Sequence, residues 1–196
     1  MIRHARTSLM AIAGSLALAG CISFGPDVPE SLLTLTPVTV ATPGAISTGT
    51  AESAIAVKEP TAPQRLAVNR VPVQIDDTNV AYLEDATWVE RPARLFQNLL
   101  AETIRQRSGR IVVDTEESSI MPQVLLRGAI REFGYDARTQ TVMVRYDAIW
   151  EIEGEAIQTR RFESVVSAIA PEAAPVGAAL NLAANDVATQ VADWIR

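Results

Sequence analysis

The chain has 196 residues, a formal net charge of −6 and 48% hydrophobic residues, with one histidine and one cysteine. That length suits one domain of ordinary size plus a short extension, and the acidic balance argues against nucleic acid or general adhesion to anionic lipid. His4 and Cys21 both fall within the first 21 residues, so the body of the chain has no imidazole or thiol for Ser-His or Cys-His catalysis, for the commonest zinc sites or for a disulfide.

Met1 to Gly20 has the three parts of a secretory signal. Arg3, His4 and Arg6 form a positive start, Leu9 to Ala19 an apolar run, and small residues precede Cys21. A membrane-spanning helix needs about 20 apolar residues, so the run reads as a cleaved signal. Leu18-Ala19-Gly20-Cys21 resembles the lipobox of bacterial lipoproteins. That resemblance implies a diacylglyceryl group on the Cys21 thiol, cleavage before Cys21 and acylation of its new amine, with no other cofactor. The alternative is an ordinary signal followed by an incidental cysteine. Stable anchoring takes more than one acyl chain, which a triacylated Cys21 supplies. Ile22 stands where an Asp would resemble an inner-membrane retention signal, so the outer membrane is the expected address. Cleavage leaves 176 residues and, with Arg3 and Arg6 gone, a charge of −8.

The turn-rich stretch from Ile22 to Pro29 reads as a tether, within an expected anchored segment 21–30. Ser31 to Thr36 is an expected strand, stopped by Pro37. Val38 to Ser53, rich in Thr, Ala, Gly and Pro, reads as a loop or mobile insert. Ala54 to Lys58 is a second expected strand, and Leu66 to Val68 leads into a β-like run from Arg70 to Ile75. Asp76 to Asn79 makes a turn, after which Val80 to Leu83 pairs back. Trp88 opens the clearest helix, with Pro92 suited to its first turn and Leu95, Phe96, Leu99, Leu100 and Ile104 on one stripe. Gly109 fits its C-cap.

Arg110 to Asp114 and Gln123 to Phe133 read as strands around a polar loop, and Asp136 to Thr139 as a hairpin turn. Thr141 to Glu153 alternates best. Val142, Val144, Tyr146, Ala148, Trp150 and Ile152 face one way; Met143, Arg145, Asp147, Ile149, Glu151 and Glu153 face the other. Such alternation marks a sheet with one buried and one mostly wet face. Gly154 turns the chain into a third meander strand, Ala156 to Ile169. Pro171 to Gly177 reads as a loop before a closing helix from about Ala178 to Ile195, with Leu180, Ala184, Val187, Val191 and Trp194 on one face. The fold class is therefore α+β: a single domain over 31–196, a mainly antiparallel sheet packed by two amphipathic helices, behind a signal peptide at 1–20.

Ile55-Ala56-Val57 followed by Pro63, Leu66 and Arg70, then Tyr82, Trp88, Pro92 and Leu99-Leu100, resembles the ABC-type transport auxiliary lipoprotein family over about residues 31 to 195. Paraquat-inducible protein C and the lipoproteins of MCE-type lipid transporters belong to it. The Val38 to Ser53 insert and the thin stretch between Arg70 and Tyr82 depart from the pattern. The resemblance implies a non-enzymatic periplasmic domain. Its partners would be an ABC permease and ATPase with MCE-type subunits, moving phospholipid or other hydrophobic molecules across the envelope. The alternatives are a free-standing binder of an apolar ligand and a structural or assembly lipoprotein.

Four side chains are candidate contacts for a partner or apolar ligand. Tyr82 and Trp88 flank the helix start, and amphipathic aromatics favour interfaces; the competing reading caps the core. Met143 and Ile149 are apolar among charges and mark an expected docking surface. Glu151, Glu153 and Glu155 read as a solvated face, and Lys58, the one lysine, carries no convincing Ser-Lys dyad. No catalytic or metal-binding residue is assigned.

Overall fold

A computed structural model describes residues 31–114 and 120–195. The signal peptide at 1–20, the tether at 21–30 and the lipidation site Cys21 lie outside the described residues. Among those described, the strands are β1 (Ile55–Val57), β2 (Arg70–Gln74), β3 (Val80–Thr87), β4 (Val112–Val113), β5 (Val124–Asp136), β6 (Thr141–Ile152) and β7 (Gln158–Val166). The helices are α1 (Pro92–Ser108) and α2 (Ala173–Trp194).

β5 is the spine of the sheet. Along one edge it pairs antiparallel with β6, and β6 with β7. The other edge is shared: β1 lies parallel on Val124 to Leu126, and β2 lies parallel on Tyr135 and Asp136. β4 extends the β1 end in parallel, and β3 extends the β2 end antiparallel. The sheet is thus mixed, and the expectation of a mainly antiparallel sheet is corrected. Its parallel members are short and apolar, β1 being wholly buried. Runs buried on both faces show no alternation, so their direction is not written in their pattern.

Both helices lie on one face of the sheet. The α1 stripe of Leu95, Phe96, Leu99, Leu100 and Ile104 is buried, as are Leu180, Ala184, Val187 and Val191 of α2. They meet the inward residues of β6, namely Val142, Val144, Tyr146, Ala148 and Trp150. The small side chains of α2 let it lie close to the strands. An edge-to-face aromatic chain joins the layers: Trp88 to Phe133 at 5.7 Å, Phe133 to Phe96 at 6.3 Å and Phe96 to Tyr146 at 5.3 Å between ring centroids.

Several local expectations shift. The helix after Trp88 begins only at Pro92, and Trp88 precedes it, bridged to Leu33. Gly109 closes that helix at φ 65°, in the left-handed region glycine reaches without steric cost. The last helix starts at Ala173, so the expected Pro171 to Gly177 loop is partly helical. Pro175 fits there because first-turn N–H groups have no intrahelical acceptor. Residues 64–66 form a 3-10 turn.

The expected strand from Ser31 to Thr36 is instead a strap over the helices. Leu33 makes an isolated bridge to Trp88, donating to Thr87 O at 2.8 Å and accepting from Val89 N at 2.9 Å. Further on, Thr36 N donates to Asn181 Oδ1 (2.8 Å), Val38 N to Asn185 Oδ1 (2.9 Å) and Ala41 N to Glu102 Oε1 (2.7 Å). Asn185 Nδ2 returns a bond to Thr36 O at 3.0 Å. Beyond the single bridge at Leu33 the strap finds its partners on helix side chains, which explains why a strand-like sequence forms no ladder. The insert that follows contains turns but no regular element, and Val38 and Ala41 pin its start.

Candidate functional site

With both helices on one side, the other face of β5, β6 and β7 carries no second layer among the described residues. Strand alternation, with a bulge between Ile130 and Glu132, places Arg127, Ala129, Arg131 and Glu132 of β5, Met143, Arg145, Asp147, Ile149 and Glu151 of β6, and Thr159, Arg161 and Glu163 of β7 there. The register opposes Arg145 to Glu163 and Asp147 to Arg161, and both pairs form ion pairs. Cross-strand pairs of opposite charge contribute a few tenths to about 1 kcal/mol each.

Asp147 is the hub. It accepts from Arg161 Nε at 2.6 Å and from Arg131 Nε at 2.8 Å. The Arg161 hydrogen bond, helped by Arg131, holds its carboxyl down at about 2 against partial desolvation. Beside this triad, Arg127 Nε donates to Glu151 at 2.9 Å, and this bond raises the Arg127 guanidinium further. Glu151 is therefore the acceptor of a surface ion pair. Glu153 and Glu155 are exposed at the following turn. Among the described residues, no group of three or more His, Cys, Asp or Glu is placed to hold a metal ion.

The face is not flat. A depression of about 750 Å³ is floored by Gly128, Ala129 and Ile149 and walled by Lys58, Arg131 and Arg161. A second, of about 280 Å³, lies towards the β2 end and takes in Pro72, Gly134, Met143 and Arg145. Gly134 is required there: a Cβ would stand 2.5 Å from Pro72 O, so a side chain would push β2 off β5. Gly128 is required behind the first, on the helix side, where a Cβ would meet Asp147 O at 2.1 Å and Tyr146 Oη at 2.7 Å.

The four candidates separate cleanly. Ile149 and Met143 lie on the uncovered face, one in each depression. Tyr82 shares that face through its pairing with Pro72; its ring sits under Arg70, with the guanidinium carbon 4.7 Å from the centroid. Its hydroxyl reaches Arg65 O at 3.4 Å. Trp88 does not join them. It is 1% exposed on the helix side, so the contact-patch reading is corrected: it is core, because the chain turns inward at Trp88 before the helix begins. Trp88 Nε1 and Tyr146 Oη are buried without a hydrogen-bond partner among the described residues. What the sequence did not reveal is the basic wall. Lys58, Arg131 and Arg161 sit on three separate segments, and only the parallel contact of the β1 segment with β5 brings Lys58 alongside the other two.

A two-layer α+β domain with one bare sheet face is the class this architecture defines. Solved structures with the same fold include two that cover most of the chain. Protein XCC0632 from Xanthomonas campestris, of the family DUF330, superposes with a TM-score of 0.68 at 17% identity over 84% of this chain and 94% of its own. An uncharacterised protein gives 0.65 at 14% identity over 85% of this chain and 100% of its own. No curated protein matches the chain. A family profile does match, across residues 33–192: the chain belongs to the ABC-type transport auxiliary lipoprotein component family.

Proposed function

We propose that this chain is a non-enzymatic accessory lipoprotein of an ABC/MCE-type system that moves lipids or other hydrophobic molecules across the envelope. The family membership over 33–192 carries the reading. In this account triacylated Cys21 holds the chain to a membrane on the periplasmic side, the outer membrane in the first instance. Ile22 to Pro29 give reach, and the domain docks on the transporter. Two features support a binding role without chemistry: the body of the chain has no histidine or thiol, and Asp147, the hub carboxylate, is saturated by two arginines. Permease, ATPase and MCE-type subunits are the partners.

Epistasis tests the reading. Deleting this gene and deleting the gene of the system's ATPase should raise the same envelope sensitivity to detergent, with no added defect in the double deletion. Additive defects would refute it. Metabolic labelling with an alkyne fatty acid should mark the wild-type chain, and Cys21→Ser should abolish the label.

A further inference from the structure

The depression around Ile149 carries more positive charge than its acids can neutralise, in a chain whose mature form is strongly acidic. Around Ile149 stand Lys58, Arg127, Arg131 and Arg161. Glu151 answers Arg127. Asp147 forms the ion pairs to both Arg131 and Arg161, while Glu163, which also attracts Arg161, forms its ion pair with Arg145. Glu59, at the rim, turns to Arg91 at 3.7 Å. Lys58 makes no ion pair among the described residues. Arg160, at the edge, stacks on Phe162 with its guanidinium carbon 5.1 Å from the ring centroid and makes no ion pair among the described residues. The balance is three positive charges left over, one in the Arg131-Asp147-Arg161 triad, one at Lys58 and one at Arg160, beside an apolar floor of Gly128, Ala129 and Ile149.

We infer that this groove docks an acidic protein segment: two carboxylates flanking one apolar side chain, the apolar group on Ile149 and the carboxylates at Lys58 and at the Arg131/Arg161 pair. The inference rests on the accessory-component reading and names the docking face within it. Charge complementarity gives the sign of the partner. The groove is open and shallow, a strip of sheet rather than a closed chamber. A small ligand normally has most of its surface buried in its pocket, whereas an open strip suits a segment of a larger surface. An apolar anchor ringed by polar contacts is the usual anatomy of such an interface.

The test uses the mature lipidated protein in mild detergent. Fluorescence polarisation follows labelled peptides Glu-Ser-Leu-Ser-Glu, Lys-Ser-Leu-Ser-Lys and Glu-Ser-Ser-Ser-Glu, which present alternate side chains on one face when extended. The first should bind, weaken steeply with added salt, and lose about tenfold in affinity with R131E/R161E. Ile149→Ser should bring it down to the level of the leucine-free peptide, and the lysine peptide should not bind. Circular dichroism confirms that each variant folds. Equal binding of all three peptides, or binding untouched by both variants, overturns the proposal. So does binding to phosphatidylglycerol vesicles through Lys58, Arg131 and Arg161 in the absence of peptide binding, which would make a membrane the occupant. The broader reading fails separately: if the wild-type chain co-isolates with transporter subunits and R131E/R161E does so equally, the groove is wrong and the accessory role stands.

Discussion

Replacing Tyr146 by Phe should make this protein more stable. Tyr146 is 1% exposed, its ring packs on Phe96, and its hydroxyl has no hydrogen-bond partner among the described residues. Burial pushes the phenol well above its ordinary titration range, as expected of a group whose charged form has no company. A buried hydroxyl left unpaired costs about 1–3 kcal/mol, while trimming it to a same-shaped apolar ring removes that cost. Taking about 1 kcal/mol as the gain, a domain of this size should melt about 2–4 °C higher. The neighbouring glycine sharpens the test. Gly128→Ala would set a methyl 2.7 Å from Tyr146 Oη, 2.8 Å from Cε2 and 2.1 Å from Asp147 O. It should therefore be strongly destabilising, and Tyr146→Phe should rescue it only in part, because the contacts with the ring and the backbone carbonyl remain. Urea unfolding of wild type, both single variants and the double variant gives the coupling directly. A Tyr146→Phe protein less stable than wild type by about 1 kcal/mol or more would refute the reasoning, since such a loss is what removing a satisfied buried hydrogen bond produces.

Other outcomes follow from the same structure. Trp88→Ala should cost about 3–5 kcal/mol in urea unfolding, as a core truncation does, where a surface contact residue would leave stability nearly unchanged. Asn185→Ala should release the strap held at Thr36 and Val38, costing about 1–3 kcal/mol and speeding limited proteolysis within residues 38–53. Asp147 stabilises the fold at neutral pH because its folded value lies below its ordinary 3.8; that contribution is lost as pH falls from about 3.8 through about 2. Solvent screening limits it to about 1 kcal/mol, so Asp147→Asn should lower stability slightly at pH 7 and close the gap to wild type near pH 2, read by urea midpoints across that range.

The sequence carried the half of the fold whose faces differ in polarity. β6 alternates over its whole length, so its inward and outward residues, including Met143 and Ile149, were legible one by one. The α1 stripe and the Gly109 cap were legible for the same reason, since a repeating period and a left-handed position each leave a local mark. β1 and β4 were legible as strands, within Ala54 to Lys58 and Arg110 to Asp114, but their place in the sheet was not. Three and two apolar residues show no period, and their parallel pairing depends on chain segments far apart. The strap failed differently: Ser31 to Thr36 has strand-like composition, but only Leu33 pairs with backbone, at Thr87 and Val89, and Thr36 bonds Asn181 and Asn185 on a helix that sequence cannot place beside it. Trp88 misled because an aromatic just before a helix suits an interface as well as a core. The basic wall of the groove needed the register itself, because Arg131, Asp147 and Arg161 meet only once β5, β6 and β7 are aligned.

The measurement that bears most directly on the accessory role is isolation of the tagged, lipidated chain from native membranes in gentle detergent, with its companions read by mass spectrometry. An ATPase, a permease and an MCE-type subunit recovered together, in amounts that follow the bait, is the expected result. Recovery of the lipoprotein free of any transport subunit, under conditions that keep the permease and its ATPase together, would contradict the account.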